Sequence, residues 1–223
     1  EFSVCSSDLF DPLRDFAWVS MVVTYPFAAL VRPDSPHQNI GDLIAAARKA
    51  PGRLNYASVG VGSVYHLATE LFNSMAGIDM AHIPFKGGSE PIIEVMAGRI
   101  DVVFETLTGG YTYIQGGKVR AIAVTSTERA PQLPNVPTVT QTLPGFEVTS
   151  FSGIAAPRGT PAAVVARLNR EIRWGLEQPD IRKRFTELGG SVTPSSPEEM
   201  GRHVEGEVAK WKRIVEVKKI EMQ

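Results

Sequence analysis

The chain has 223 residues, with 23 Lys and Arg against 24 Asp and Glu and a formal net charge of −1 at neutral pH. That length and a 43% apolar content support one or two compact domains with a real core. The evenly mixed charge leaves no nucleic-acid footprint, no apolar run approaches the roughly 20 residues that span a bilayer, and Cys5, the only cysteine, excludes an internal disulfide and a cysteine-based metal site.

The first six residues show neither strand alternation nor a helix start nor a leader pattern, and they read as a cut end. Asp11-Pro12-Leu13-Arg14-Asp15-Phe16 reads as a turn leading to an apolar strand over 17–23. Thr24-Tyr25-Pro26 separates it from a second strand over 27–31, since proline has no N–H for a ladder. Asn39 or Ser35 opens a helix over about 40–49, with Ile40, Leu43, Ile44 and Ala47 on one face and Pro51-Gly52 at its end.

The stretch 54–89 organises the rest. Leu54, Tyr56 and Ala57 belong to a short strand, and Ser58-Val59-Gly60-Val61-Gly62-Ser63 turns sharply. Ser63 N-caps a helix to about Met75, in which Leu67, Leu71, Phe72 and Met75 share one face, and Gly77 stops it. A strand over 81–85 follows and ends in Lys86-Gly87-Gly88-Ser89. A strand-helix-strand unit predicts parallel strands, so both glycine-rich loops fall at carboxyl ends, where open α/β sheets bind ligands.

A helix over 91–97, a buried strand over 100–104, a third loop over 105–110, a short helix over 111–115 and a strand over 119–124 complete a repeating βα pattern. Pro131, Pro134, Pro137 and Pro144 mark an irregular connection over 125–145, and a strand over 146–155 follows. Thr160 reads as an N-cap with Pro161 at the first helical position. Three helices close the chain at about 161–177, 180–188 and 197–218, the last with a Val204, Val208, Trp211 and Val215 stripe.

The loop over 58–63 lacks the Gly-Lys-Ser/Thr of a phosphate-binding loop and the third glycine of a dinucleotide fingerprint. It either offers N–H and hydroxyl donors to a small anion at a helix N-terminus or is a plain turn. Ser63 or Ser58 with His66 suggests a hydrolase couple, but no orienting acid and no Gly-x-Ser-x-Gly elbow accompany it, which favours capping or packing for His66. His37, His82 and His203 are scattered, and neither a metal nor a cofactor is expected. Lys86 either points its charge at the loops or is solvated, and Glu105 is either a site group or a salt-bridged edge residue.

Several blocks in order then resemble a known family. They are Asp11-Pro12-Leu13-Arg14-Asp15-Phe16, Pro51-Gly52-Arg53-Leu54-Asn55-Tyr56-Ala57-Ser58, Pro84-Phe85-Lys86-Gly87-Gly88 and Ala123-Val124-Thr125-Ser126. Leu133-Pro134-Asn135-Val136-Pro137-Thr138 and Ala156-Pro157-Arg158-Gly159-Thr160-Pro161 continue the series. Together they resemble the substrate-binding proteins of tripartite tricarboxylate transporters, the TctC/Bug family. The resemblance implies an α/β fold of the type II periplasmic-binding-protein kind, with two lobes of βα units joined by a hinge. It implies a periplasmic protein that closes on a small carboxylate without catalysis and delivers it to transporter membrane subunits. The ligands it implies are di- or tricarboxylates, acidic amino acids or aromatic acids.

Carried over by position, the resemblance assigns ligand contacts to Ser58, Gly60, Gly62, Ser63 and His66, to Lys86, Gly87, Gly88 and Ser89, and to Glu105 and Thr106. It places Thr24 and Tyr25 near the hinge or the first-lobe wall, and Phe151 as an aromatic shield. The family has Asp-Asn or Asp-x where this chain has Glu105-Thr106. The family's leading strand and Pro-Gly-Gly-type loop have no counterpart before Asp11, so the expectation is an incomplete first lobe (1–32 with 125–223) beside a second lobe (33–124). Exposed sheet edges in such a lobe favour self-association. A rival reading is the ligand-sensing effector domain of a transcriptional regulator, which requires an attached helix-turn-helix.

Overall fold

The computed structural model describes residues 11–220. Cys5 and the opening residues lie outside the described residues. One long strand, β1 (Phe16–Val31), carries the architecture. The sequence predicted two strands here, interrupted at Pro26. The chain instead stays extended through Pro26 and changes partners there. Residues 16–26 pair antiparallel with β6 (Thr149–Pro157), and Val23 and Thr24 also pair with β7 (Ser191–Val192). From Phe27 onward β1 pairs antiparallel with β4 (Val102–Thr106) on one side and β5 (Arg120–Val124) on the other. The proline falls where one ladder gives way to the next, the position at which a missing N–H costs least.

The second half of β1 is buried on both faces, as a central strand of an α/β sheet must be. Phe27, Ala29 and Val31 face α1 (Ile40–Lys49), α2 (Val64–Ala76) and the far end of α7 (Pro197–Lys218), packing with Leu43, Leu67, Phe72, Trp211 and Ile214. Ala28 and Leu30 face the other way, toward Ile92 and Val95 of α3 (Glu90–Met96) and Leu107 of α4 (Leu107–Gln115). The period-two alternation of β1 thus divides two apolar layers. Each fully buried Phe or Leu contributes about 1.5–3 kcal/mol relative to exposure.

β2 (Asn55–Ser58) pairs parallel with both β3 (Ala81–Pro84) and β4, giving the order β3-β2-β4-β1-β5. The parallel strand-helix-strand unit read from the sequence is present, with Ser63 capping α2 and Gly77 closing it in a left-handed conformation (φ 60°). α1 is capped by Asn39.

Other elements differ from expectation, among them the strand expected over 146–155, which is β6 at Thr149–Pro157. Residues 105–110 form no loop: Glu105 and Thr106 end β4, and α4 starts at Leu107 with the Thr106 hydroxyl accepting from the Gly109 N–H. Its glycines serve close packing, since a Cβ on Gly110 would lie 2.8 Å from Leu30 Cδ1. Thr160 does not cap α5 (Ala162–Glu177), because its hydroxyl donates back to Pro157 O at 2.7 Å and Pro161 takes the cap position. β7, only two residues long, carries no periodic signal and was missed.

α7 follows α6 (Pro179–Glu187) and β7, and it opens with a capping box between Ser196 and Glu199. Its first half packs Met200, Val204 and Val208 against Met21, Trp18 and Phe151, and its second half packs Trp211 and Ile214 into the core around Phe27. One helix therefore bridges both ladders of β1. α5 leaves Val164, Leu168 and Trp174 exposed, and β6 borders only β1 among the described residues.

Candidate functional site

Strand register gathers the candidate residues along one edge of the sheet. Ser58 pairs with Pro84 and Ala57 with Val103, so β2, β3 and β4 end side by side. β1 runs the other way, and Phe27 pairs with Thr106. Thr24, Tyr25 and Pro26 consequently stand at the edge where the three parallel strands finish. The turn before β7 closes over this point: a Cβ on Gly190 would fall 2.8 Å from the Tyr25 ring, and one on Gly189 would fall 3.0 Å from Leu107. Burial raises the Tyr25 phenol above its usual pKa, against the opposing hydrogen bond with Ser152 of β6. Thr24 is half-buried, its hydroxyl at 3.5 Å from Ser191 O.

The loop over 58–63 is held from inside. Gly60 (φ 128°) and Gly62 (φ 75°) adopt backbone conformations that L side chains rarely take. Ser58, fully buried, receives the Gly60 N–H at 3.1 Å, with its Oγ 2.6 Å from His82 Nε2 on β3. Ser63 donates to Gly60 O at 2.7 Å and accepts from the His66 N–H. His66, 6% exposed, accepts the Gly62 N–H on Nδ1 at 3.0 Å. Neither serine meets the His66 ring as a nucleophile would. The packing and capping reading of His66 is the one the geometry supports.

His82 is the residue that sequence reasoning missed. Its signal was the parallel pairing itself, which places His82 beside Tyr56. The His66 and His82 rings stack at 3.9 Å and 7°, and Tyr56 stacks on His82 at 4.9 Å and 19°. Burial lowers both imidazoles, His82 to about 4, with the neighbouring His66 adding to its fall. Behind the stack, the Tyr56 hydroxyl donates to Glu70 at 2.7 Å, and Lys218 of α7 pairs with Glu70 at 3.0 Å. Burial alone would raise Glu70, but hydrogen bonds from Tyr56, Lys218 and Asn73 hold it below the usual carboxylate range.

Glu105, 5% exposed, is a bonded internal carboxylate. Its Oε1 accepts from the Tyr65 hydroxyl at 2.8 Å, the Thr106 N–H at 2.9 Å and the Thr106 hydroxyl at 3.0 Å. Tyr65 in turn meets Phe27 edge-on at 5.3 Å. Lys86 is exposed, and Gly87 and Gly88 follow it with positive φ. Ser89 stands at the N-cap of α3 without a side-chain capping bond. Phe151 of β6 pairs with Thr24 of β1, and its ring is half-buried against α7 and edge-on to His203 at 4.7 Å. No group of three or more potential metal ligands occurs among the described residues. A shallow groove between α4 and α6, lined in part by Tyr111, Lys183 and Glu187, holds none of these residues.

Residues 7–220 match the tripartite tricarboxylate transporter family receptor, TctC. The chain belongs to this family. It is 38% identical to a UPF0065 protein from the tcbD-tcbE intergenic region of Pseudomonas sp. (strain P51), over 91% of this chain and 61% of that protein. The chain thus spans about three fifths of that relative's length. Among solved structures, Rpa4515 of R. palustris with adipate is 33% identical with a TM-score of 0.85, covering 93% of this chain and 70% of that one. MatC of Rhodopseudomonas palustris, with bound malate, is 29% identical with a TM-score of 0.83, covering 96% of this chain and 74% of that one. These likenesses establish the α/β fold of two-lobed type II periplasmic binding proteins. The TctC family is one of receptors for solutes, and its members are periplasmic binding proteins that bind without turnover. No described helix is long and apolar enough to cross a membrane.

Proposed function

We propose that this chain captures a small organic carboxylate in the periplasm and presents it to the membrane subunits of a tripartite tricarboxylate-type transporter. The observation that carries this reading is that the parallel strands β2, β3 and β4 end side by side, with the capped N-terminus of α2 following β2, at the sheet edge where Tyr25 stands. The hydroxyls of Ser58 and Ser63 are engaged within their own loop, so contact from that loop falls to backbone N–H groups in the first turn of α2. Gly87, Gly88 and Ser89 supply the same kind of donor at α3, and Lys86 adds a positive charge at the rim. Glu105 and Thr106 form the floor, with Glu105 fixing Tyr65. Thr24, Tyr25 and Phe151 belong to the opposite wall.

The bound adipate and malate of the two solved relatives support a di- or tricarboxylate, and an acidic amino acid or aromatic acid fits the same donors. Ligand bridging the two ladders of β1 favours the closed arrangement in proportion to its differential affinity. We place the change of lobe at Pro26 and again near Thr125, which assigns 27–31 to the lobe that also holds 33–124. The edge of β6 that borders no strand among the described residues, with the exposed Val164, Leu168 and Trp174, supports self-association, which size-exclusion chromatography with light scattering would reveal as a concentration-dependent mass. Calorimetric titration with adipate, malate, citrate, glutamate and benzoate tests the ligand class. Saturable binding of at least one is the expected result.

A further inference from the structure

His66 and His82 stand behind the loop over 58–63, each bonded to a different end of it. His82 Nε2 lies 2.6 Å from the Ser58 hydroxyl, the same hydroxyl that receives the Gly60 N–H. His66 Nδ1 accepts the Gly62 N–H at 3.0 Å. A nitrogen that accepts an N–H has no proton of its own, so His66 is neutral and carries its hydrogen on Nε2. Charging the ring adds a proton to the atom Gly62 donates to. Two N–H groups then face each other, and the bond that shapes the loop is gone.

The second ring makes this more severe. The imidazoles stack 3.9 Å apart at 7°, a spacing at which two cations repel strongly in a half-buried setting. The groups around them offset a charge only in part. Glu70, one turn further along α2, favours the charged forms, but it is already bonded to Tyr56 and Asn73 and paired with Lys218 of α7. Tyr56 of β2 covers the outer face of His82 and donates its own proton to Glu70. Asp79, on the turn before β3, acts on Tyr56. No carboxylate hydrogen-bonds either imidazole among the described residues.

We propose that His66, braced by His82, is a positioning residue of the ligand loop. In its neutral form it holds residues 58–63 in the receiving conformation, and mild acid releases that loop together with its ligand. The inference rests on the reading of this loop as part of the carboxylate site. The lowered imidazole pKa values accord with it, since they keep the latch closed at neutral pH and put release below the ordinary histidine range.

The test compares the protein with His66→Asn, whose amide oxygen can still accept the Gly62 N–H and cannot titrate. Two readouts are followed from pH 7.5 to 4.5: the Gly62 amide resonance and the affinity for adipate. Protonation of adipate affects both proteins equally, so their difference isolates the histidine. Between pH 7.5 and 4.5 the affinity of the unsubstituted protein for adipate should fall at least tenfold further than that of His66→Asn. The unsubstituted protein's Gly62 amide should move over the same interval, and that of His66→Asn should stay in place. Parallel pH courses for the unsubstituted protein and His66→Asn would overturn the latch. Absence of adipate binding in both proteins at pH 7.5, with the amide transition intact, would leave the latch standing and count against the carboxylate site alone.

Discussion

The Thr125 hydroxyl accepts the Phe27 N–H at 2.8 Å, at the step where β1 leaves one ladder for the other. The same hydroxyl lies 2.5 Å from Val148 O, and the Thr125 N–H donates to Phe27 O at 2.9 Å. Three chain segments are thereby fastened at the crossing by one fully buried side chain. Thr125→Val keeps the shape and strands a buried N–H and a buried carbonyl. It should cost about 2–3 kcal/mol in urea denaturation, and Thr125→Ser should cost less than half of that.

Glu70 makes a comparable junction between α2, β2 and α7. Glu70→Ala leaves the Tyr56 hydroxyl without its acceptor and Lys218 without its counter-charge. The expected loss is about 3 kcal/mol, read from the same denaturation curves. Lys218→Met should cost less than Glu70→Ala, because it leaves Tyr56 and Asn73 still donating to the carboxylate.

Gly190 has no room for a side chain, since a Cβ would meet Val23 Cγ2 at 2.6 Å and the Tyr25 ring at 2.8 Å. Gly190→Ala should therefore push Tyr25 away from the strand ends. A tenfold or greater loss of ligand affinity is expected, with the far-ultraviolet circular dichroism spectrum unchanged.

The histidine pair fixes the sign of one pH dependence. Both imidazoles are held neutral in the fold, their pKa values below 6.5 and that of His82 at about 4. The unfolded chain, titrating near 6.5, binds more protons in that window, so stability is complete above pH 6.5 and falls as the pH drops toward 4. The loss should be roughly 1–2 kcal/mol, allowing for partial solvation of the rings. A double variant, His66→Asn with His82→Gln, should flatten that slope in thermal melts between pH 7 and 4.5.

Much of the fold was legible because its signals are local. The Ser63 cap, the Gly77 stop and the apolar faces of α1 and α2 lie within single turns of chain, and the structure keeps them. What escaped depends on partners far away in sequence. Pro26 looks like a strand break until Thr125 and β4 show where β1 goes next. Gly109 and Gly110 look like loop residues until Glu105 and Leu30 are seen filling the space that side chains there would need. The glycine-rich loops were found from composition and order, but the internal bonds of Ser58 and the role of His82 come from strand pairing that no spacing encodes.

The central claim is that this edge of the sheet receives a carboxylate. Thermal unfolding with increasing adipate, malate, citrate, glutamate or benzoate tests it most directly. A ligand at 100 times its Kd should add about 2.7 kcal/mol to stability, and Gly190→Ala should require at least ten times more of it for the same shift. Unchanged melting with every acid, in samples shown to be folded, would contradict the claim.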